Sequence, residues 1–183
     1  VSQSWVAVGN LSTLTRATTA GLTNGSCGTF GTAVTPTGAP TESGLTVGCI
    51  RYTLTGRNAF TLTAPVLTVT VRIDTTAPTG GALTVNGVAA SVAGTTSTSL
   101  TGTYSVTTLT AMTDGNSGMA SSTLTRTSGP TCGALDPGTA TVLSGSAPIA
   151  ETGMLPGCYR YDWTGVNNAG LSRTLTTTVT VGP

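Results

Sequence analysis

The sequence has no lysine and no histidine, and its seven basic residues are all arginine: Arg16, Arg51, Arg57, Arg72, Arg126, Arg160 and Arg173. Without histidine there is no imidazole to act as general base or metal ligand. Without lysine there is no Schiff-base amine and no lysine–asparagine isopeptide cross-link. Charge is scarce of either sign, at 7% of residues with a formal net charge of +1. Such a chain offers no basic stripe to nucleic acid and little field to steer a charged partner. No stretch approaches the roughly 18 to 20 uninterrupted apolar residues of a membrane span, so no membrane insertion is expected. The chain opens at Val1 with neither Met nor a signal-like segment and reads as a mature or excised portion of something longer.

What is present is threonine, 43 of 183 residues, with serine, glycine and asparagine supplying most other polar groups. Threonine is β-branched and suits a pleated, half-exposed strand, and no Ala-Leu-Glu-Lys helical stretch competes with it. The composition predicts an all-β protein of one or two domains with a neutral, hydroxylated surface.

Self-comparison decides the number. Ser12-Thr13-Leu14-Thr15-Arg16 matches Ser122-Thr123-Leu124-Thr125-Arg126 at an offset of 110. Cys27-Gly28 matches Cys132-Gly133 at 105, and Gly48-Cys49 matches Gly157-Cys158 at 109. Arg51-Tyr52, Gly56 and Asn58 then match Arg160-Tyr161, Gly165 and Asn167, and Val69-Thr70-Val71 matches Val179-Thr180-Val181. Order is preserved and the offsets drift only as loops of unequal length would allow, so one fold is duplicated in tandem. The copies are unequal, because the lead-in of about residues 77 to 110 has no counterpart before Val1. Three explanations stand: upstream residues complete the first domain, that domain is naturally shorter, or a strand from a neighbouring subunit fills the gap.

In the second copy, Leu83 to Val85, Tyr104 to Leu109, Ser122 to Arg126, Ala140 to Leu143, Cys158 to Thr164 and Leu171 to Val181 read as short strands between Gly, Pro, Asn and Asp clusters. This is the spacing of a sandwich. Tyr159, Tyr161 and Trp163 alternate with Arg160 and Asp162, as a strand with one buried face requires, and Ile50, Tyr52 and Leu54 repeat the pattern. Gly165 to Gly170 supplies turn residues for a hairpin into the last strand.

The four cysteines sit at equivalent places in the copies, so the repeat selects Cys27–Cys49 and Cys132–Cys158 from three possible pairings. Persistent disulfides imply an oxidising compartment. A four-cysteine zinc site is disfavoured because no closely spaced pair exists, and buried free thiols are the remaining alternative.

Ile73-Asp74-Thr75-Thr76-Ala77-Pro78 resembles the inter-domain junction of bacterial immunoglobulin-like repeat arrays, and Gly165 to Gly170 is similar to a hairpin of the same domains. The resemblance implies a large secreted or cell-surface protein, a stalk, adhesin or fibre subunit, whose domains space and display rather than catalyse.

Few residues compete for a chemical role. Asp114-Gly115-Asn116-Ser117-Gly118 brings oxygen ligands together but lacks a closing Glu, so a turn is preferred to calcium, and Asp74 reads as a turn cap. Glu42, Asp136, Glu151 and Asp162 fall in different segments, whereas a glycosidase pair would need two of them to converge. Arg160 and Asp162 lie on one strand face as a surface ion pair. Tyr159, Tyr161 and Trp163 could form a sugar platform, but their parity favours the core. Trp5 is either core or an exposed contact at the chain's front. Paired threonines at 13/15, 53/55, 61/63, 68/70, 123/125, 174/176 and 178/180 set hydroxyls about 7 Å apart on one face, a spacing that resembles ice-binding arrays. Sheet twist favours an ordinary solvent face or a platform for O-linked glycans.

The expectation is therefore two tandem immunoglobulin-like antiparallel β-sandwich domains, each with one disulfide, spanning 1–75 (lacking its first strand or strands) and 76–183. The expected function is that of an extracellular, non-enzymatic spacer or subunit of a surface filament or stalk, assembling non-covalently. No cofactor, metal or nucleic acid is expected; partners are copies of itself or neighbouring immunoglobulin-like domains, with surface glycans as a further partner class. An adhesin or glycan-binding module is the alternative.

Overall fold

A computed structural model describes residues 11–37 and 41–183, and among these every regular element is a strand. The chain divides into two compact units: residues 1–76 with the short 115–118 segment, and residues 77–114 with 119–183. Trp5 lies outside the described residues.

In the first unit, β1 (Leu11–Thr19), β2 (Leu22–Thr23), β3 (Ser26–Cys27), β4 (Gly48–Arg57) and β5 (Leu67–Ile73) follow one another. They form a three-stranded antiparallel sheet in the order β1-β4-β5 and a separate β2-β3 ribbon. Period-two alternation gives β4 its two faces. Ile50, Tyr52 and Leu54 are buried with Leu14 of β1, and Leu45 and Ile73 pack against them. Arg51 and Thr55 face outward, and Arg51 lies 4.3 Å from the centroid of the Phe30 ring. The cross-strand pairs Leu54–Leu67, Tyr52–Val69 and Ile50–Val71 put the apolar residues of β5 on that inner face as well. Even so, Leu67 and Val69 remain 56% and 54% exposed.

The second unit is a two-sheet sandwich. It comprises β6 (Thr79–Val85), β7 (Val88–Ala89), β8 (Thr96–Ser99), β9 (Tyr104–Thr113), β10 (Met119–Thr131), β11 (Ala134–Leu143), β12 (Ile149–Glu151), β13 (Gly157–Asn167) and β14 (Ser172–Val181). The five-stranded sheet runs β11-β10-β13-β14-β8 and the four-stranded sheet β12-β9-β6-β7. Every pairing is antiparallel except β8 on β14. Leu83, Val85, Tyr104, Val106 and Met112 from one sheet meet Leu124, Tyr161, Trp163, Leu175, Val179 and Val181 from the other in a single core. Burial of such side chains contributes about 1.5 to 3 kcal/mol each. β10, β11 and β13 extend beyond the short runs that apolar patterning marks: β10 continues in threonine and serine, which strands accept but hydropathy does not flag, whereas β11 starts earlier through Asp136-Pro137-Gly138 and β13 runs on through Gly165-Val166-Asn167, turn-type residues that pattern reading assigns to loops.

The registers correct one match drawn from sequence. Ile50 pairs with Val71 and its counterpart Tyr159 with Val179, so β5 and β14 correspond at an offset of 108. Leu67, Val69, Val71 and Ile73 are thus equivalent to Leu175, Thr177, Val179 and Val181. The Val-Thr-Val match at 110 is one pleat repeat out of step. Alternating Val and Thr is nearly degenerate under a two-residue slip, and only the partner strand fixes the register.

The two Gly-Cys steps have a steric reason. Gly48 and Gly157 adopt φ of 151° and 155°, and an added Cβ would come within 2.3 Å of the Thr19 carbonyl oxygen and 2.8 Å of the Gly129 carbonyl oxygen. Each cysteine strand enters its sheet hard against the backbone of its neighbour, and only glycine leaves the space.

Candidate functional site

The same polar cluster occurs in both units at equivalent positions, built from one arginine, one glutamate and one tyrosine. In the first, β1 presents Arg16 and β4 presents Tyr52 as a cross-strand pair, and the segment before Cys49 brings Glu42 over them. Arg16 Nε and Nη2 donate to the two Glu42 oxygens at 2.5 and 2.9 Å, a bidentate fork, and the Tyr52 hydroxyl donates to Glu42 Oε1. In the second, β10 and β13 present Arg126 and Tyr161 as the equivalent pair, and β12 brings Glu151. Arg126 Nη1 donates to Glu151 Oε2, and the Tyr161 hydroxyl to Glu151 Oε1 at 3.2 Å.

Sequence reasoning missed this constellation. Its signal is Glu42-Ser43-Gly44-Leu45 beside Glu151-Thr152-Gly153-Met154, both at an offset of 109 and both followed by Gly-Cys three residues on. Glu42 and Glu151 are each matched to the arginine of their own unit.

The electrostatics favour a fixed charge over a titrating one. The Arg16 fork holds the Glu42 carboxyl below its ordinary range, against burial, with the Tyr52 hydroxyl assisting. Burial, together with that carboxylate, pushes the Tyr52 phenol up. In the second unit burial raises Tyr104 to about 12 and Tyr161 further still. Their rings meet edge to face at 6.2 Å with the hydroxyls 2.9 Å apart. Tyr104 comes from the four-stranded sheet, so the cluster in the second unit is roofed by a second layer. In the first unit an open pocket of about 300 Å³ lies beside the cluster, lined by Arg16, Thr18, Glu42, Leu45, Ile50 and Ile73.

The remaining candidates are occupied locally. Cys27 is bonded to Cys49 and Cys132 to Cys158, with no free cysteine among the described residues. Asp162 accepts from Arg160 Nε at 2.8 Å and from the Thr176 hydroxyl at 2.7 Å. Asp136 caps its own turn through the Gly138 amide. Asp74 accepts from the Thr76 amide and hydroxyl and from the Ser117 amide and hydroxyl. Burial opposes its ionisation, but these donors outweigh burial and hold it well below the usual carboxylate range. Asp114 accepts from Asn167 Nδ2 at 3.0 Å. Among the described residues no three of His, Cys, Asp and Glu gather as metal ligands. Tyr161 and Trp163 are buried in the core, Trp163 donating to the Thr110 carbonyl, while Tyr159 is half-buried with its hydroxyl on the Leu155 carbonyl.

No family model matches the chain, and no curated protein matches it. The two disulfides point to an oxidising environment. Among the described residues no helix is long and apolar enough to cross a membrane.

Proposed function

We propose that this chain is an extracellular, non-catalytic structural module, two tandem immunoglobulin-like domains serving as a spacer or as a subunit of a surface filament or stalk. The observation that carries this reading is the duplication itself. What recurs is the framework: the disulfide, the Gly-Cys entry, the Arg–Glu–Tyr cluster and the asparagine-framed hairpin, all elements that fix shape. The strand order of the second unit, with an early strand parallel to the last one, supports the immunoglobulin-like assignment. The carboxylates are engaged by arginines, hydroxyls, turn amides or, for Asp114, the Asn167 side-chain amide, which weighs against any of them serving as a general base. Tyr161 and Trp163 are spent in the core, so a glycan-binding reading lacks its aromatic platform. Partners on this reading are other copies or neighbouring domains of the same kind, added non-covalently at an open sheet edge.

Electron microscopy and light scattering of the purified chain across a wide concentration range test it. Ordered end-to-end or edge-to-edge assemblies are expected. Monomers at every concentration would remove the self-assembling subunit and leave only a spacer.

A further inference from the structure

We propose that the outer edge of β5 and the adjoining apolar face of the first unit form an acceptor for one uncharged strand, donated in parallel orientation by a neighbouring polypeptide. This inference rests on the module reading and adds to it which edge, which direction and what chemistry.

The second unit supplies the template. There β14 carries β8 on its outer edge in parallel, with the Thr178 amide donating to the Thr95 carbonyl at 2.8 Å, and ahead of that pairing the Thr176 amide donates to the Ser91 carbonyl at 2.8 Å in an isolated antiparallel bridge. Leu175, Thr177, Val179 and Val181 beside that edge are all buried. In the first unit the equivalent strand β5 has β4 on one side, and among the described residues no strand pairs on the other. The amides equivalent to Thr176 and Thr178 are those of Thr68 and Thr70. Leu67 and Val69, equivalent to buried Leu175 and Thr177, are more than half exposed, and the pocket over Ile50 and Ile73 continues the same face. An edge with unpaired amides above exposed Leu and Val is what sheets ordinarily blunt with charged side chains, proline or a bulge, and β5 has neither proline nor bulge and a single charge, Arg72, near its end.

Charge defines the occupant. Residues 77–113, which complete the second unit, contain no charged side chain. Arg72 is the one charge on β5, and Cys49, its cross-strand partner, alternates with Ile50 and so lies on the sheet face opposite the acceptor surface. The site therefore fits a neutral strand of threonine and serine with the smaller side chains turned inward, as Ser97 and Ser99 are in the segment Thr95 to Ser99 on β14.

The probe is a synthetic peptide of residues 90–106, added to the isotope-labelled full chain, with amide hydrogen exchange read residue by residue. Exchange at Thr68 and Thr70 is expected to slow at least tenfold, and a scrambled peptide to leave it unchanged. Thr70→Pro removes an edge donor, and Val69→Lys charges the face while keeping every donor; each is expected to abolish the protection. Three results would overturn the proposal: no slowing at the peptide's solubility limit, protection confined to Thr176 and Thr178, or concentration-dependent protection of Thr68 and Thr70 in the chain alone through antiparallel pairing of two β5 edges. A chain that assembles in the microscope yet ignores the peptide sinks the acceptor edge and spares the module reading, whereas peptide binding without assembly spares the acceptor edge and removes the self-assembling subunit.

Discussion

Thr61 holds a φ of +64° at the tip of the β4–β5 hairpin, at the position where Gly170 stands at +84° in the β13–β14 hairpin. The two turns are otherwise alike. Asn58 Oδ1 accepts from the Phe60 and Leu62 amides at 3.0 and 3.1 Å, and Asn167 Oδ1 from the Ala169 and Leu171 amides at 3.1 and 2.9 Å. A β-branched residue in the left-handed region is strained, and glycine is not. Thr61→Gly is therefore expected to raise the stability of the first unit by up to about 1 kcal/mol, and Gly170→Thr to lower that of the second by about 1 to 2 kcal/mol. Equilibrium denaturation with residue-resolved NMR checks both; opposite signs at the two sites are the signature.

The close approach at the Gly-Cys steps gives a second pair of variants. Gly48→Ala drives Cβ into the Thr19 carbonyl and Gly157→Ala into that of Gly129, backbone atoms that cannot swing aside. Loss of more than about 3 kcal/mol is expected at each, since φ and space are both violated. Thermal melts within about 1 kcal/mol of the parent would show that the cysteine strands need no such contact.

Much of this was legible in the sequence. Alternation in Ile50 to Leu54 and in Tyr159 to Trp163 marks the central strand of each sheet, because those strands bury one full face. The matched cysteines and asparagines mark the strand ends that the disulfides and hairpins hold. Strand β8, Thr96 to Ser99, is invisible to hydropathy because its inward positions are Ser97 and Ser99, small enough to lie beside Val179 and Val181. The Arg–Glu–Tyr cluster was hidden for another reason. Its members come from three separated segments, and each alone reads as a surface charge or a core aromatic; only the shared offsets of Arg16, Glu42 and Tyr52 to their counterparts join them.

Acid should weaken the first unit through two carboxyls. Glu42 and Asp74 are both held below their ordinary values of 4.5 and 3.8. The unfolded chain therefore takes up their protons first. The stability they contribute is complete above about pH 5 and is lost as pH falls through the unfolded values toward the folded ones. Denaturation midpoints of the first unit should fall between pH 5 and 3, and Glu42→Gln should flatten that slope while lowering stability at pH 7 by about 1 to 2 kcal/mol, discounted because Arg16 is partly exposed. An unchanged slope in Glu42→Gln would assign the acid sensitivity to Asp74 alone.

The tyrosine pair separates hydroxyl coupling from ring packing. Tyr104 and Tyr161 share a hydroxyl contact at 2.9 Å inside the core, and Tyr161 also donates to Glu151. Tyr104→Phe deletes one hydroxyl with no change in ring packing and is expected to cost about 1 kcal/mol. Tyr161→Phe leaves Glu151 short of a donor and should cost about 2 kcal/mol. A double-mutant cycle should return a coupling of at least about 0.5 kcal/mol, and additivity would mean the two hydroxyls act independently.

Reduction of the disulfides should separate the units. The closed loops span 22 and 26 residues, so chain entropy assigns each bridge a similar contribution of about 3 kcal/mol. What differs is the core beneath. The second unit joins residues of two sheets, whereas the first has Leu14, Ile50, Tyr52 and Leu54 on a single sheet. An equal loss falls on unequal reserves. Cys27→Ser with Cys49→Ser is therefore expected to unfold the first unit at room temperature while the second keeps its dispersed NMR spectrum. Cys132→Ser with Cys158→Ser should leave both units folded with a lowered melting temperature for the second. If the first pair of substitutions leaves β4 amides as protected as in the parent, the bare sheet is more stable than its single-layer packing allows.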